Sequence, residues 1–284
     1  MSLVIWAGGR LREETEPVIG ATDHGLTVGD GVFETCEVTG LGAFALTRHL
    51  HRLESNERAL GLVPVPEDEV RAAVATVLEA CDPAASRLRI TVTGGPGPMG
   101  SGRGDAEPTL VVIAGPARQS ADARVVRVPW VRNERSAIAG LKTTSYAENV
   151  VALARAVAAG ADEALFANTR GELCEGTGSN VFVELDGELL TPSLASGCLA
   201  GISRALLLEW AADAGLPVRE VAPSELPYGV LDDVTAGRGA LALTSSTRHV
   251  SPVLSLDRVE LRVGEVSMAA RELFLRRAAA DVDP

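Results

Sequence analysis

Apolar residues recur along this chain at two spacings, and the spacing divides it into strands and helices. Residues 3–6 read as a short strand. The turn-forming runs Asp23-His24-Gly25 and Gly29-Asp30-Gly31 then lead into the apolar run at Val32 and Phe33. Two amphipathic helices follow. The first runs from about Thr47, a hydroxyl residue suited to an N-cap, to Leu60, with Gly61 as its stop. The second opens on Pro66-Glu67-Asp68-Glu69, acidic where the helix dipole favours anions, and ends near Cys81. Residues 87–93 (RLRITVT) alternate as a strand does, and residues 109–114 (TLVVIA) read as its partner across a Gly/Pro-rich loop at 94–105. Residues 116–123 are polar and turn-forming. Beyond them the pattern predicts strands at 124–128, 163–167, 181–185 and 240–243. It predicts helices at about 145–159, from 202 to Gly215, and over 266–278. No repeat is present. Strands mixed with helices predict two domains of α/β or α+β type: 1–115, a linker at 116–123, and 124–284.

Composition adds exclusions. At 46% apolar and 23% charged, the 284 residues suit a globular protein with a substantial core. No apolar run is long enough to span a bilayer, and Met1 is not followed by a basic segment and an apolar stretch. A cytoplasmic protein without a membrane partner is therefore expected. A net charge of −12 disfavours nucleic acid as a partner. Four scattered cysteines without a CxxC pair, and four dispersed histidines, predict no metal site. One count stands out: the 26 basic residues are 25 arginines and a single lysine, Lys142. Arginine replaces lysine in most surface roles but cannot form an imine, because its guanidinium stays protonated. A sole lysine marks a position for imine chemistry, against the plainer reading of a mutational bias toward arginine.

Several short motifs carry possible chemistry. Gly95-Pro-Gly-Pro-Met-Gly100 matches G-x-G-x-x-G but leads to a strand instead of opening a helix, so it reads as a loop and not as a dinucleotide site. Gly201-Ile202-Ser203-Arg204 opens a helix, either as an anion site or with Ser203 as an ordinary cap. Thr244-Ser245-Ser246-Thr247 offers four hydroxyls for phosphate oxygens, or forms a solvated turn. Glu175-Gly-Thr-Gly-Ser-Asn180 places a carboxylate in a Gly-spaced loop, suited to a protonated pyridine nitrogen or to a plain surface turn. Arg52 lies on the first helix. Together these are an amine, a carboxylate and an anion cup, the parts that pyridoxal phosphate needs.

Six stretches in order, DHGLTVGDGVFE (23–34), HLHRL (49–53), LKTTSYAENV (141–150), EGTGSNVF (175–182), CLAGISR (198–204) and TSSTRHVSP (244–252), resemble the class IV aminotransferases, the fold type IV enzymes that use pyridoxal 5'-phosphate. The resemblance implies a small N-terminal α/β domain, a larger C-terminal pseudo-barrel domain and a homodimer. It implies Lys142 as the residue that bonds the cofactor and shuttles the proton, and Glu175 as partner of the pyridine nitrogen. It implies Arg52, Ile202, Ser203, Ser245 and Ser246 around the phosphate, Leu199 on the ring face, Asn180 near the ring hydroxyl, and Phe33 and Thr247 at the substrate.

Within that family, branched-chain enzymes follow the Phe-Glu pair with Gly and, two residues later, Arg; here Glu34 is followed by Thr35, Cys36 and Glu37. The best-known D-amino-acid transaminases hold the substrate carboxylate with an R-x-H element, and the matching stretch near Met99 to Ser101 has neither residue. Arg103 and Arg135 are the expected substitutes. The expected activity is transfer of an amino group between a D-amino acid, with (R)-amines also in range, and a 2-oxo acid. An aminodeoxychorismate lyase is the alternative, and a branched-chain L-amino-acid enzyme is less favoured.

Overall fold

A computed structural model describes residues 3–82, 84–117 and 121–284. Its contacts group the chain into two units. The first is Met1–Arg118 with Leu141–Tyr146 and Val282–Pro284; the second is Gln119–Gly140 with Ala147–Asp281. Of the expected linker, residues 118–120 lie outside the described residues.

The first unit contains β1 (Val4–Ala7), β2 (Arg10–Arg12), α1 (His24–Thr27), β3 (Gly31–Thr39), β4 (Gly42–Ala43), α2 (Leu46–Leu60), α3 (Glu67–Ala80), β5 (Arg87–Thr93) and β6 (Thr109–Gly115). Its strands form a six-stranded sheet in the order β2-β1-β6-β5-β3-β4. Strand alternation sends Val32 and Cys36 of β3, Leu88, Ile90 and Val92 of β5 and Val112 of β6 into one core with Leu50, Leu53, Val70, Val74 and Val77 of the helices. Truncating one of these, such as Leu53, to alanine should cost about 2–5 kcal/mol. The other face of the sheet carries Phe33 and Thr35, paired in register with Thr91 and Arg89.

The start of α2 differs from expectation. Thr47 is not its N-cap; the helix begins one residue earlier, after Ala45 in the left-handed region at φ 53° with no side-chain cap. The Thr47 N–H and hydroxyl instead donate to the Asp283 carboxylate at 2.8 and 2.6 Å. Its end is as predicted, with Gly61 at φ 76°. The G-x-G-x-x-G run forms the loop between β5 and β6, which pair antiparallel as a hairpin.

Sequence order places Lys142 with the second domain, but its segment packs with the first unit. β4 covers only the far end of β3, at Val38 and Thr39. The near end is left open, and residues 142–144 fill it: Phe33 N–H donates to Lys142 O at 2.9 Å and Thr144 N–H to Gly31 O at 2.8 Å. A bridge pairs Val32 with Thr143.

The second unit contains β7 (Ala123–Arg132), α4 (Ala147–Ala158), β8 (Glu163–Asn168), β9 (Leu173–Gly176), β10 (Asn180–Leu185), β11 (Glu188–Pro192), α5 (Ile202–Ala214), β12 (Val218–Val221), α6 (Val230–Thr235), β13 (Ala240–Ser245), β14 (His249–Leu256), β15 (Val259–Glu260) and α7 (Glu265–Ala280). Nine strands form one sheet, ordered β12-β11-β10-β13-β14-β7-β8-β9 with β15 on β14. The sheet curls until β9, at its end, meets β10 through a tight turn in which Gly176 N–H reaches Ser179 O at 2.8 Å. Leu165, Leu173, Val181, Val183, Leu241 and Val253 fill the inside of the curl with Val230 and Leu231 of α6. No helix among the described residues is long and apolar enough to cross a membrane.

Candidate active site

The first unit holds the lysine. Because residues 142–144 run along β3, the Lys142 side chain lies on the face of the sheet away from the helices. Its Nζ sits 4.3 Å from the centroid of the Phe33 ring. Tyr146 meets the same ring edge-on at 5.4 Å. Arg89, on β5, stacks its guanidinium carbon 3.7 Å from the Phe33 centroid and donates from Nε to Thr91 Oγ1 at 3.1 Å. No carboxylate among the described residues pairs with Arg89. Burial lowers the pKa of its guanidinium; Tyr146 opposes this and Arg87 adds to it.

On the helix side of β3, the next residue begins a different network. Glu34 is fully buried. It accepts from Arg52 Nε at 2.8 Å and Arg52 Nη2 at 2.7 Å, a two-pronged pair. His49 Nδ1 lies 2.6 Å from Oε2, the oxygen that also accepts Arg52 Nη2. Burial works to raise the Glu34 pKa, but the charge and hydrogen bonds of Arg52, with the His49 bond, outweigh it and hold the carboxyl well below the usual range. Burial, aided by the charges of Arg52 and Lys142, lowers the His49 pKa against the hydrogen bond and charge of Glu34. A neutral His49 donating from Nδ1 to an ionised Glu34 satisfies both groups.

The second unit holds the carboxylate and the hydroxyls. Glu175, on β9, accepts the Leu199 N–H at 2.9 Å through one oxygen and Arg132 Nε at 3.2 Å through the other. Arg132 stacks 4.2 Å over Phe166 and also pairs with Glu148. The Leu199 carbonyl accepts from Asn180 Nδ2 at 2.8 Å. Three residues that the motifs single out, Glu175, Leu199 and Asn180, thus form one chain of hydrogen bonds. Asn180 in turn pairs in register with Thr244, the first of the four hydroxyl residues. Thr244 Oγ1 is buried and has no hydrogen-bond partner among the described residues. Ser245 ends β13 opposite His249, and Ser246 and Thr247 form the turn that follows.

The start of α5 suits an anion. Gly201 is its N-cap, with no side-chain cap bond, so the first N–H groups, that of Ile202 among them, have no capping side chain. Ser203 does not cap the helix. It is buried, and its hydroxyl bonds no other described residue. A Cβ at Gly201 would stand 1.9 Å from Asn180 Oδ1, so this backbone approach requires glycine. The α5 amides without a side-chain cap, the hydroxyls of Ser203 and Thr244, and the Glu175 carboxylate fit the phosphate and the pyridine nitrogen of pyridoxal phosphate.

Two expected carboxylate ligands are committed or turned outward. Arg103 donates to both Asp30 oxygens at 2.6 and 2.7 Å and to the carbonyls of Leu60 and Gly61, which pins the 94–105 loop to the end of α2. Arg135 is 81% exposed, with Glu134 at 3.8 Å. Sequence reasoning missed Arg89, Glu34 and Arg132. The signal for Arg89 was the alternation in RLRITVT, which puts an arginine mid-strand on the face opposite Leu88 and Ile90.

The family model for amino-transferase class IV matches residues 31–256. The chain is 30% identical over 279 residues to a putative branched-chain-amino-acid aminotransferase of Methanocaldococcus jannaschii, covering 95% of this chain and 94% of that one. It is 30% identical over 242 residues to a bifunctional aminodeoxychorismate lyase / D-amino acid transaminase of Mycobacterium tuberculosis, covering 75% and 79%. Its fold matches the pyridoxal-phosphate-bound form of a hypothetical aminotransferase from Mycobacterium tuberculosis with a TM-score of 0.83, at 26% identity and with both chains fully covered. The fold and these matches define a pyridoxal-phosphate enzyme of fold type IV. The chain belongs to the class IV aminotransferases.

Proposed function

We propose that the protein is a transaminase that moves an amino group between a D-amino acid and a 2-oxo acid, with Lys142 bonding the cofactor and moving the proton. The observation that carries the carboxylate part of this reading is Arg89: a half-buried guanidinium without a carboxylate partner among the described residues, stacked on the ring that also lies against Lys142 Nζ. Arg89 takes the role that the sequence suggested for Arg103 or Arg135. When bound, pyridoxal phosphate supplies an electron sink for the substrate's Cα–H bond. The chain supplies the rest. Glu175, oriented by Arg132 and the Leu199 N–H, would partner the pyridine nitrogen. The α5 amides, Ser203, the 245–246 hydroxyls and Arg52 would hold the phosphate. Asn180 would serve the ring hydroxyl, Leu199 the ring, and Phe33 and Thr247 the substrate.

Glu37 where branched-chain members carry Arg favours the D-amino-acid reading over an L-branched-chain one. The bifunctional relative supports a lyase activity on aminodeoxychorismate as the second reading. A cytoplasmic homodimer belongs to the same reading, on the family resemblance. The test is a half-reaction screen of the holoenzyme. Loss of the cofactor's visible band with D-alanine, and glutamate formation from D-alanine with 2-oxoglutarate, supports the proposal. Response to L-leucine alone overturns it in favour of the branched-chain enzyme. Release of 4-aminobenzoate without any response to D-amino acids overturns it in favour of the lyase.

A further inference from the structure

We propose that Glu34 is a positioning residue for the cofactor: its carboxylate fixes the Arg52 guanidinium in the one orientation that meets the phosphate. The inference rests on the reading of Arg52 as a phosphate ligand.

Glu34 sits where the fold asks for an apolar residue. Its neighbours on the same face are Val32 and Cys36 on its own strand and Leu88, Ile90 and Val92 on β5, all fully buried in the helix-side core. Its register partner is Ile90. A buried ion pair adds little stability over well-packed apolar side chains, because both charges lose their water. Stability alone therefore gives poor reason for a carboxylate here.

Geometry gives a better one. A free arginine side chain has several rotatable bonds and loses their freedom when it grips an anion. In this fold that freedom is already gone. Glu34 takes one edge of the guanidinium, Nε and Nη2, in a planar two-pronged bond at 2.8 and 2.7 Å. His49, about one helical turn before Arg52 on α2, bonds at 2.6 Å to Oε2, the same Glu34 oxygen that accepts Arg52 Nη2, and so adds a third hydrogen bond to the carboxylate. The network fixes where the Nη1 edge points, and it keeps the Glu34 charge against Arg52. Such preorganisation raises affinity by removing ordering cost from the binding step.

The test separates a phosphate-directed role from a merely structural one. Release of cofactor from the holoenzyme is followed by absorbance in the native chain and in Glu34→Gln, Glu34→Met and Arg52→Ala, first with pyridoxal phosphate and then after refilling with pyridoxal, which has no phosphate. Melting curves report folding; Glu34→Met, an apolar replacement, serves if Glu34→Gln does not fold. We expect all three variants to release pyridoxal phosphate about tenfold faster or more, and to release pyridoxal at the native rate within about twofold, as loss of a charged hydrogen-bond network confined to the phosphate requires. If Arg52→Ala leaves pyridoxal phosphate release unchanged, Arg52 is not a phosphate ligand and the underlying reading fails. If Arg52→Ala accelerates release but the Glu34 variants do not, or accelerate both cofactors alike, the positioning role of Glu34 fails.

Discussion

Lys142 is bonded to Phe33 twice over: its carbonyl accepts the Phe33 N–H at 2.9 Å, and its side chain folds back so that Nζ lies 4.3 Å from the centre of the Phe33 ring. The backbone bond sets the lysine's height along β3 and the ring limits its sideways travel. The amine proposed to bond the cofactor is thereby held by a neighbour in space that is more than a hundred residues away in sequence.

Lys142→Ala should remove the visible band of lysine-bonded cofactor and all transaminase turnover. Borohydride treatment followed by mass spectrometry checks it. A pyridoxyl group still fixed to the variant chain would remove Lys142 from its role.

Arg89→Ala should raise KM for a donor with a carboxylate by about 10–100-fold, the worth of a charged hydrogen bond or two. KM for a neutral (R)-amine should change little, because that donor has no group for the guanidinium to hold. Steady-state kinetics on both donors decide it. Arg103→Ala should behave oppositely: KM ratios stay the same, and the freed loop at 94–105 becomes a site of limited proteolysis.

Gly201→Ala should weaken pyridoxal phosphate binding. Its methyl would stand 1.9 Å from Asn180 Oδ1, so Asn180 must leave the Leu199 carbonyl or the α5 start must move. Either shift misplaces amides meant for the phosphate. Reconstitution titrations measure the loss.

Glu57 on α2 predicts a pH effect with no link to catalysis. Burial, opposed by the Val65 N–H and aided by Glu54, pushes its pKa up to about 7. The folded state therefore binds a proton more tightly than the unfolded chain, whose Glu titrates near the ordinary value of 4.5. Between those values stability falls as pH rises, and it levels off above about 7. Glu57→Gln should flatten that slope and melt higher than the native chain at pH 8, with little gain at pH 4. Melting temperatures across pH provide the check; parallel slopes would refute it.

Most of the fold was legible because it is written locally. The alternation in RLRITVT, the acidic first turn of α3 and the stops at Gly61 and Gly215 are all short-range signals. The residues proposed for the anion cup likewise each lie in one contiguous motif. What sequence could not supply was pairing at a distance. β9, β11, β12 and β14 are short, or carry Pro252 in mid-strand, and take their identity from neighbours in the curled sheet. Thr47 reads as a cap because its side chain is right for one, yet Asp283 does that work from 236 residues away. Arg103 looked available because its partner is remote in sequence: Asp30, 73 residues earlier, takes its charge.

Residues 282–284 carry a consequence for how the first unit assembles. Val282 O receives the Ala45 N–H at 2.7 Å, Asp283 binds Thr47, and Pro284 O receives Arg48 Nε at 2.8 Å, all at the entry to α2. The opening turn of the helix that carries His49 and Arg52 is thus tied off by residues 236 positions further along the chain. The start of α2 has no side-chain cap of its own, and the near end of β3 takes residues 142–144 as its neighbour. The first unit is therefore assembled from three separate stretches of sequence, and removing residues 282–284 would loosen the start of α2.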